Sequence, residues 1–432
     1  MRKNTYNAFF IIMLLYLIGP NIKFYGVLLQ DAVFFIYFCF LMLSVLPRIW
    51  KIHLSPVLYV PAVLTTIAFL GKWQSGYNLT YDDVAGLIKN LSLVALAFCV
   101  VVLIREFQEG DSKRTLTYLY NALLAGVIFV SVVGILQYFF PDAISNKLGR
   151  LYEREIITGL TNFKYFSLTY RVTSIFTSPL VFGIFLTTSL TILLFVGKKK
   201  RTLLYIATGL GLVALYFTSA RAAIVCLIIS VLVMILRRIH LVRAFITTLL
   251  LILSFYWLTS YLTIFNINRL AEVTEYIFSG FKNTLLPENL LARVTYNNYI
   301  WSLVLTSRYF VFGFPTRTYD TIIKFSPDNQ FTAFLVKYGI FGIGLSFWQV
   351  ILVVYFLILY LRRKGTHLQN TYLALSLVAL FGVIAGLTQE VTFLPRLREI
   401  LFAFMAAATA FPSPNNDIQS VSRFKMRARH SV

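Results

Sequence analysis

The chain has 432 residues, 58% of them hydrophobic and only 13% charged. Soluble domains run at about 45–50% apolar and about 25% charged, so lipid must solvate much of this surface. The formal net charge of +22 is scattered between apolar runs instead of gathered on one soluble face, which argues against nucleic acid as a partner. Cys39, Cys99 and Cys226 each lie inside an apolar run, with no metal spacing and no disulfide framework, and read as small hydrophobes.

In chain order, apolar runs of spanning length, about 17–25 residues with some shorter or broken, fall at 6–22, 30–46, 55–71, 84–104, 116–140, 176–196, 202–217, 222–236, 244–262, 337–361, 371–388 and 399–411. The first follows Arg2 and Lys3 without a small-x-small cleavage site, and reads as an uncleaved helix interrupted at Gly19-Pro20. The expected fold is an all-α polytopic membrane protein of about twelve transmembrane helices, with residues 1–432 as one integral-membrane domain.

Basic residues of short loops set orientation. With the N-terminus in the cytoplasm, 21 of the 39 Lys and Arg fall on cytoplasmic segments, against four acids, Glu106, Glu109, Asp111 and Asp417. The pattern repeats over all twelve runs. It places both termini inside, the 412–432 tail included, in a bacterial inner membrane.

Two segments on the opposite, periplasmic face are long: 141–175 and 263–330. Loops beyond about 12–15 residues usually carry function or disorder. The second has helix-like aromatic patterns and reads as a folded cap on the membrane. This face also carries basic residues that orientation does not need, among them Arg308, Arg396 and Arg398. For most of them solvated loop charge is the default.

Arg221 stands apart. It lies between two apolar runs with almost no loop, so it must face the bundle interior, a water-filled cavity or the interface. Snorkelling to the interface is the alternative. A guanidinium there suits phosphate, because its planar fork donates two parallel hydrogen bonds. Arg171 opens a hydroxyl-rich run before Pro179, at a helix entrance where anions are favoured. An ordinary juxtamembrane role is the alternative. Arg293 opens an aromatic stretch ending at Phe312-Gly313-Phe314-Pro315, and is either a ligand for an anion or a charge on the cap surface. Asp328, in Ser326-Pro327-Asp328-Asn329-Gln330, is a helix N-cap or a general base. Glu390, beside the last periplasmic loop, is the other candidate carboxylate. His53, His240, His367 and His430 all fall on cytoplasmic segments, so a base on the periplasmic face must be a carboxylate. No nucleotide-binding, zincin or dinucleotide motif is present, and no metal or cofactor is expected.

Three stretches carry a resemblance. The run from Arg171 to Leu186, the run Phe217–Ser230 with its Ser219-Ala220-Arg221, and the run from Ser326 to Phe347 resemble segments of the O-antigen polymerase and O-antigen ligase superfamily. The layout of twelve helices with a late periplasmic loop is similar too. The resemblance implies a GT-C-like membrane glycosyltransferase whose donor is an oligosaccharide on undecaprenyl pyrophosphate. It works in the bilayer without metal or nucleotide, alongside a polysaccharide chain-length regulator. By the same resemblance Arg171, Arg221 and Arg293 hold the diphosphate, and Asp328 and Glu390 are the catalytic candidates. Ligases carry His-Asn where this chain has Asp328-Asn329, which points to a polymerase of O-antigen or exopolysaccharide repeat units. A ligase is the first alternative. A carrier-lipid glycan flippase is the second, although its loops would be short on both faces and an internal two-fold repeat would be expected.

Overall fold

The computed structural model describes residues 2–19, 23–24, 27–45, 54–107, 112–141, 143–144, 172–176, 178–197, 201–218, 220–236, 288–315, 330–363, 366, 368–386 and 396–410. The helices are α1 (Arg2–Ile18), α2 (Leu29–Val45), α3 (Pro56–Gln74), α4 (Tyr81–Phe107), α5 (Ser112–Phe139), α6 (Pro179–Val196), α7 (Arg201–Thr218) and α8 (Arg221–Leu236). They continue with α9 (Glu288–Thr306), α10 (Gln330–Tyr338), α11 (Ile340–Arg362), α12 (Gln369–Gly386) and α13 (Leu397–Thr409). Among the described residues the only sheet is an antiparallel pair, Lys23–Phe24 with Val27–Leu28, between α1 and α2.

Six of these helices, α3, α4, α5, α6, α11 and α12, are long and apolar enough to cross a membrane, and four shorter apolar helices, α1, α2, α7 and α8, accompany them. Eleven of the twelve apolar runs coincide with helices, and the run at 244–262 lies outside the described residues. The interruption expected at Gly19-Pro20 is present, since α1 ends at Ile18. Runs seven and eight are separate helices. The run expected from 337 is broken near its start: Gly339 takes a positive φ of 59° between α10 and α11. Hydropathy gives little signal for such a turn, because apart from Lys337 the residues around it are apolar or aromatic. Gly342 follows closely, and a Cβ there would collide with the Phe334 carbonyl. The broken helix therefore folds back tightly on itself.

Side-chain contacts fix which helix ends meet. Tyr6, early in α1, donates to the Leu103 carbonyl late in α4 (2.6 Å) and stacks on Tyr118 early in α5 at 5.5 Å. Arg363, after α11, donates to the Tyr372 hydroxyl early in α12 (3.0 Å), and that hydroxyl donates to the Ala408 carbonyl late in α13 (3.0 Å). At the opposite end, Tyr16 late in α1 donates to Asp31 early in α2 (3.1 Å). This second end, the Gly19 end, gathers the C-termini of α1, α3, α5, α7, α10 and α12 and the N-termini of α2, α4, α6, α8, α11 and α13.

The centre of the bundle is made by α6 and α13. Along α6, 83% of the span is buried, against 33% for the peripheral α11. Small residues let backbones approach, as membrane packing requires: Gly183 of α6 faces Ala220 and Ala223 at α8, and α13 presents Ala403, Ala406, Ala407 and Ala408, all fully buried. Hydroxyls then bond across helices. Thr187 donates to the Ala223 carbonyl at 2.9 Å, and Thr191 meets Ser230 at 2.7 Å.

Candidate functional site

Arg171, Asp328 and Glu390 lie outside the described residues, as do the four histidines. Arg221 is the first residue of α8, and Arg293 lies in the second turn of α9. For these two the backbone is described and the side chain is not. The neighbouring residues nevertheless show how the chain brings their segments together.

The first junction joins the Arg171 and Arg221 segments. Residues 172–176 leave no helix of their own to satisfy their backbone, and they are buried, so each polar group needs a partner. Val172 donates its N–H to the Phe217 carbonyl (3.2 Å), one turn before Arg221. Gln137, wholly buried in the last turns of α5, supplies the rest. Its carbonyl oxygen accepts from the Thr173 and Ser174 backbone N–H groups at 3.1 and 2.7 Å, and its amide donates to the Thr173 hydroxyl at 3.3 Å. Ser174 has a positive φ of 52°, and its hydroxyl donates to the Val130 carbonyl at 2.8 Å, which holds that unfavourable backbone in place. Ser178 then caps α6, accepting from the Val181 N–H at 3.2 Å. The span expected from 176 therefore begins at Pro179, because residues 172–176 form a buried turn against α5 and α7. Replacing Gln137 with Leu orphans two buried N–H groups. It is expected to cost about 3 kcal/mol in detergent denaturation, mostly their unmet desolvation.

The second junction joins the segments of Asp328 and Glu390. Gln330, two residues after Asp328, is fully buried at the start of α10. Its amide donates to the Gln349 carbonyl oxygen of α11 at 2.7 Å. Its side chain also lies against Gly386, four residues before Glu390. A larger residue at Gly386 would displace it. The helix of Arg293 is tied to the same place: Trp301 of α9 donates its indole N–H to the Thr332 hydroxyl of α10 at 3.1 Å. Because α6 packs on α12, the two junctions stand on neighbouring helices at the Gly19 end. The N-termini of α6, α8, α11 and α13 all lie there, and helix N-termini favour anions.

Arg396 and Arg398 correct the reading of solvated loop charge. Both are buried at the start of α13. Arg396 adopts a positive φ of 74° and donates to the Leu17 and Gly19 carbonyls, each at 3.0 Å. It thereby caps the C-terminus of α1, where cations are favoured. Its own N–H donates to Glu399 at 2.6 Å, and Arg398 Nε donates to the other Glu399 oxygen at 2.7 Å. Each charge has a partner, which is the condition for leaving ions inside a bundle. Sequence reasoning missed this set because its partners are far away in the chain. The one available signal was the Arg396-Leu397-Arg398-Glu399 cluster opening an apolar run.

Between α6, α11, α12 and α13 lies a cavity of about 40 Å³, lined by Thr188, Gln349, Gly382, Arg398 and Phe402 among others. That is room for a few waters, not for a sugar ring. Among the described residues no group of His, Cys, Asp and Glu side chains could hold a metal ion. No family model matches the chain, and no curated protein matches it.

Proposed function

We propose that the chain is an integral-membrane polysaccharide polymerase, a GT-C-like enzyme of the bacterial inner membrane with both termini in the cytoplasm. It transfers a glycan from undecaprenyl pyrophosphate to the non-reducing end of a carrier-linked repeat unit. The acceptor hydroxyl oxygen bonds to the donor's anomeric carbon, the bond from that carbon to the diphosphate breaks, and the hydroxyl proton passes to Asp328 or Glu390. The diphosphate leaves with its charge. Arg171, Arg221 and Arg293 offset that charge in the role a metal would otherwise fill, and such charge stabilisation is usually the largest catalytic contribution.

The observation that carries this reading is the hydrogen bond from Val172 to Phe217. It brings together two arginine-bearing segments, from opposite sides of a span pair, at the end of the bundle where helix N-termini collect. The approach of Gln330 to Gly386 adds the two carboxylate-bearing segments on the adjoining helices.

The test is reconstitution in liposomes with a synthetic repeat unit on undecaprenyl pyrophosphate. A ladder of polymer with released carrier diphosphate is the expected result. Transfer only to a different lipid acceptor would identify a ligase. Unconsumed substrate, in protein that is folded and correctly inserted, would overturn the reading.

A further inference from the structure

Arg308 is exposed at the Gly19 end, just beyond α9, yet it is not loosely held. Its guanidinium carbon lies 5.1 Å from the Tyr309 ring centre and 5.8 Å from that of Tyr77, and Nη2 donates to the Tyr309 hydroxyl at 3.0 Å. The two rings meet edge to face at 5.1 Å. Tyr77 also donates to the Arg308 carbonyl at 3.1 Å, which ties the turn after α3 to the turn after α9. Tyr309 packs on Phe314 at 4.5 Å between centres. The cation is thus pre-organised by aromatic faces and a hydrogen bond, so less entropy is lost when it binds. The Tyr309 hydroxyl pushes the guanidinium above its ordinary value, and it stays charged.

Of the five N–H donors of an arginine, one is used among the described residues. Among the described residues no carboxylate pairs with Arg308. The surroundings are amphipathic. Trp73, in the last turn of the apolar α3, is 68% exposed, and Leu305 and Val311 on either side of Arg308 are 51% and 44% exposed. Exposed Trp at the end of a spanning helix belongs at headgroup depth. A cation there, with apolar neighbours, faces lipid phosphate sooner than any solute.

We propose that Arg308, held by Tyr309 and Tyr77 and flanked by Trp73, Leu305 and Val311, forms a binding site for the phosphate of an anionic phospholipid headgroup. The guanidinium donates two parallel bonds to phosphate oxygens, while acyl chains lie along the exposed apolar residues. The site does not depend on the proposed polymerase activity, and binding is read without turnover.

The experiment uses the full chain, purified in neutral detergent and exchanged into nanodiscs of mixed phosphatidylglycerol and phosphatidylcholine. Lipids retained by the protein are counted by native mass spectrometry. The wild type is expected to retain phosphatidylglycerol in preference. Arg308→Gln is expected to lower that preference about tenfold at this site, the scale of a lost charge-assisted contact partly screened by water. Tyr309→Phe keeps the ring, removes the hydroxyl bond, and should lower it about two- to threefold. Unchanged retention in Arg308→Gln overturns the proposal. Displacement of phosphatidylglycerol by an equal concentration of soluble glycerol phosphate also overturns it, because the site would then take free phosphate and not a lipid.

Discussion

Replacing Arg221 with Ala is expected to lower polymer formation by about 10²–10³-fold, the usual loss when one pre-organised charge-stabilising donor is removed. The polymerase reading requires it. Arg221 opens α8, and the preceding turn is fixed from several directions: Thr218 bonds within α7 at 2.7 Å, the Ala220 N–H donates to the Thr218 hydroxyl at 3.2 Å, and Ala220 packs on Gly183. A residue so placed has its backbone set before substrate arrives. Removing its side chain should change the chemistry more than the fold. Arg221→Ala is expected to insert and elute like wild type, to leave single repeat units unextended, and to bind donor with a smaller change than the loss in turnover. On the polymerase reading the two arginines act on one leaving group, so the double variant with Arg171→Ala should lose less than the product of the single losses. A normal polymer ladder from stably expressed Arg221→Ala would remove the assignment.

The second large effect concerns stability. Lys72 is buried in the last turn of α3, where it donates to the Phe314 and Lys337 carbonyls at 2.8 Å each and lies 3.6 Å from Asp83. Both carbonyls belong to chain that has just left a helix or is about to leave one. Phe314 also donates its N–H to the Val336 carbonyl at 2.7 Å, and Gly313, at a φ of 82°, sits directly against Lys337. One ammonium group therefore binds α3 to both arms flanking residues 316–329. Lys72→Met fits the space but takes the counter-charge from Asp83 and the ammonium donor from two carbonyls. Removing one partner of a buried charged set costs about 3–5 kcal/mol. Denaturation in detergent should show a loss of that order. Asp83→Asn should cost less, because Asp83 also accepts from the Thr80 N–H and hydroxyl at 3.0 Å, bonds that an amide oxygen can keep. Equal losses in the two variants would show that the ion pair, not the two carbonyl contacts, dominates.

The legible part of this protein is what lipid dictates locally. A run of apolar residues must close its own backbone hydrogen bonds, so α2, α4, α5 and α12 appear where hydropathy puts them, within a few residues. Illegible were features set by partners remote in sequence. Arg396 looks like a loop charge until the C-terminus of α1 is beside it. Lys72 follows an apolar run, and nothing local shows that its ammonium meets two carbonyls from 242 and 265 residues away. Residues 172–176 look like loop until Gln137 is seen to replace the missing helix. Gly339 lies in a run that is apolar apart from Lys337, and only the backbone of Phe310 and Val311 against it shows why a glycine turns the chain there. For the candidate site, the pattern identified segments. The fold joined described neighbours of those segments, Val172 to Phe217 and Gln330 to Gly386, and Gln137 and Gly386 lie outside all three resembling stretches.

The cap that Arg396 places on α1 has a consequence for biogenesis. The carbonyls at the end of the first helix wait for a guanidinium 377 residues downstream. While the chain is being made, the translocon or passing water must hold those groups, because the lipid cannot. The bundle thus closes like a ring whose clasp is synthesised near its end. Tyr6 and Tyr16 can tie the first helix to α4 and α2 well before that, so the last turn of α1 is the part completed only when the clasp arrives.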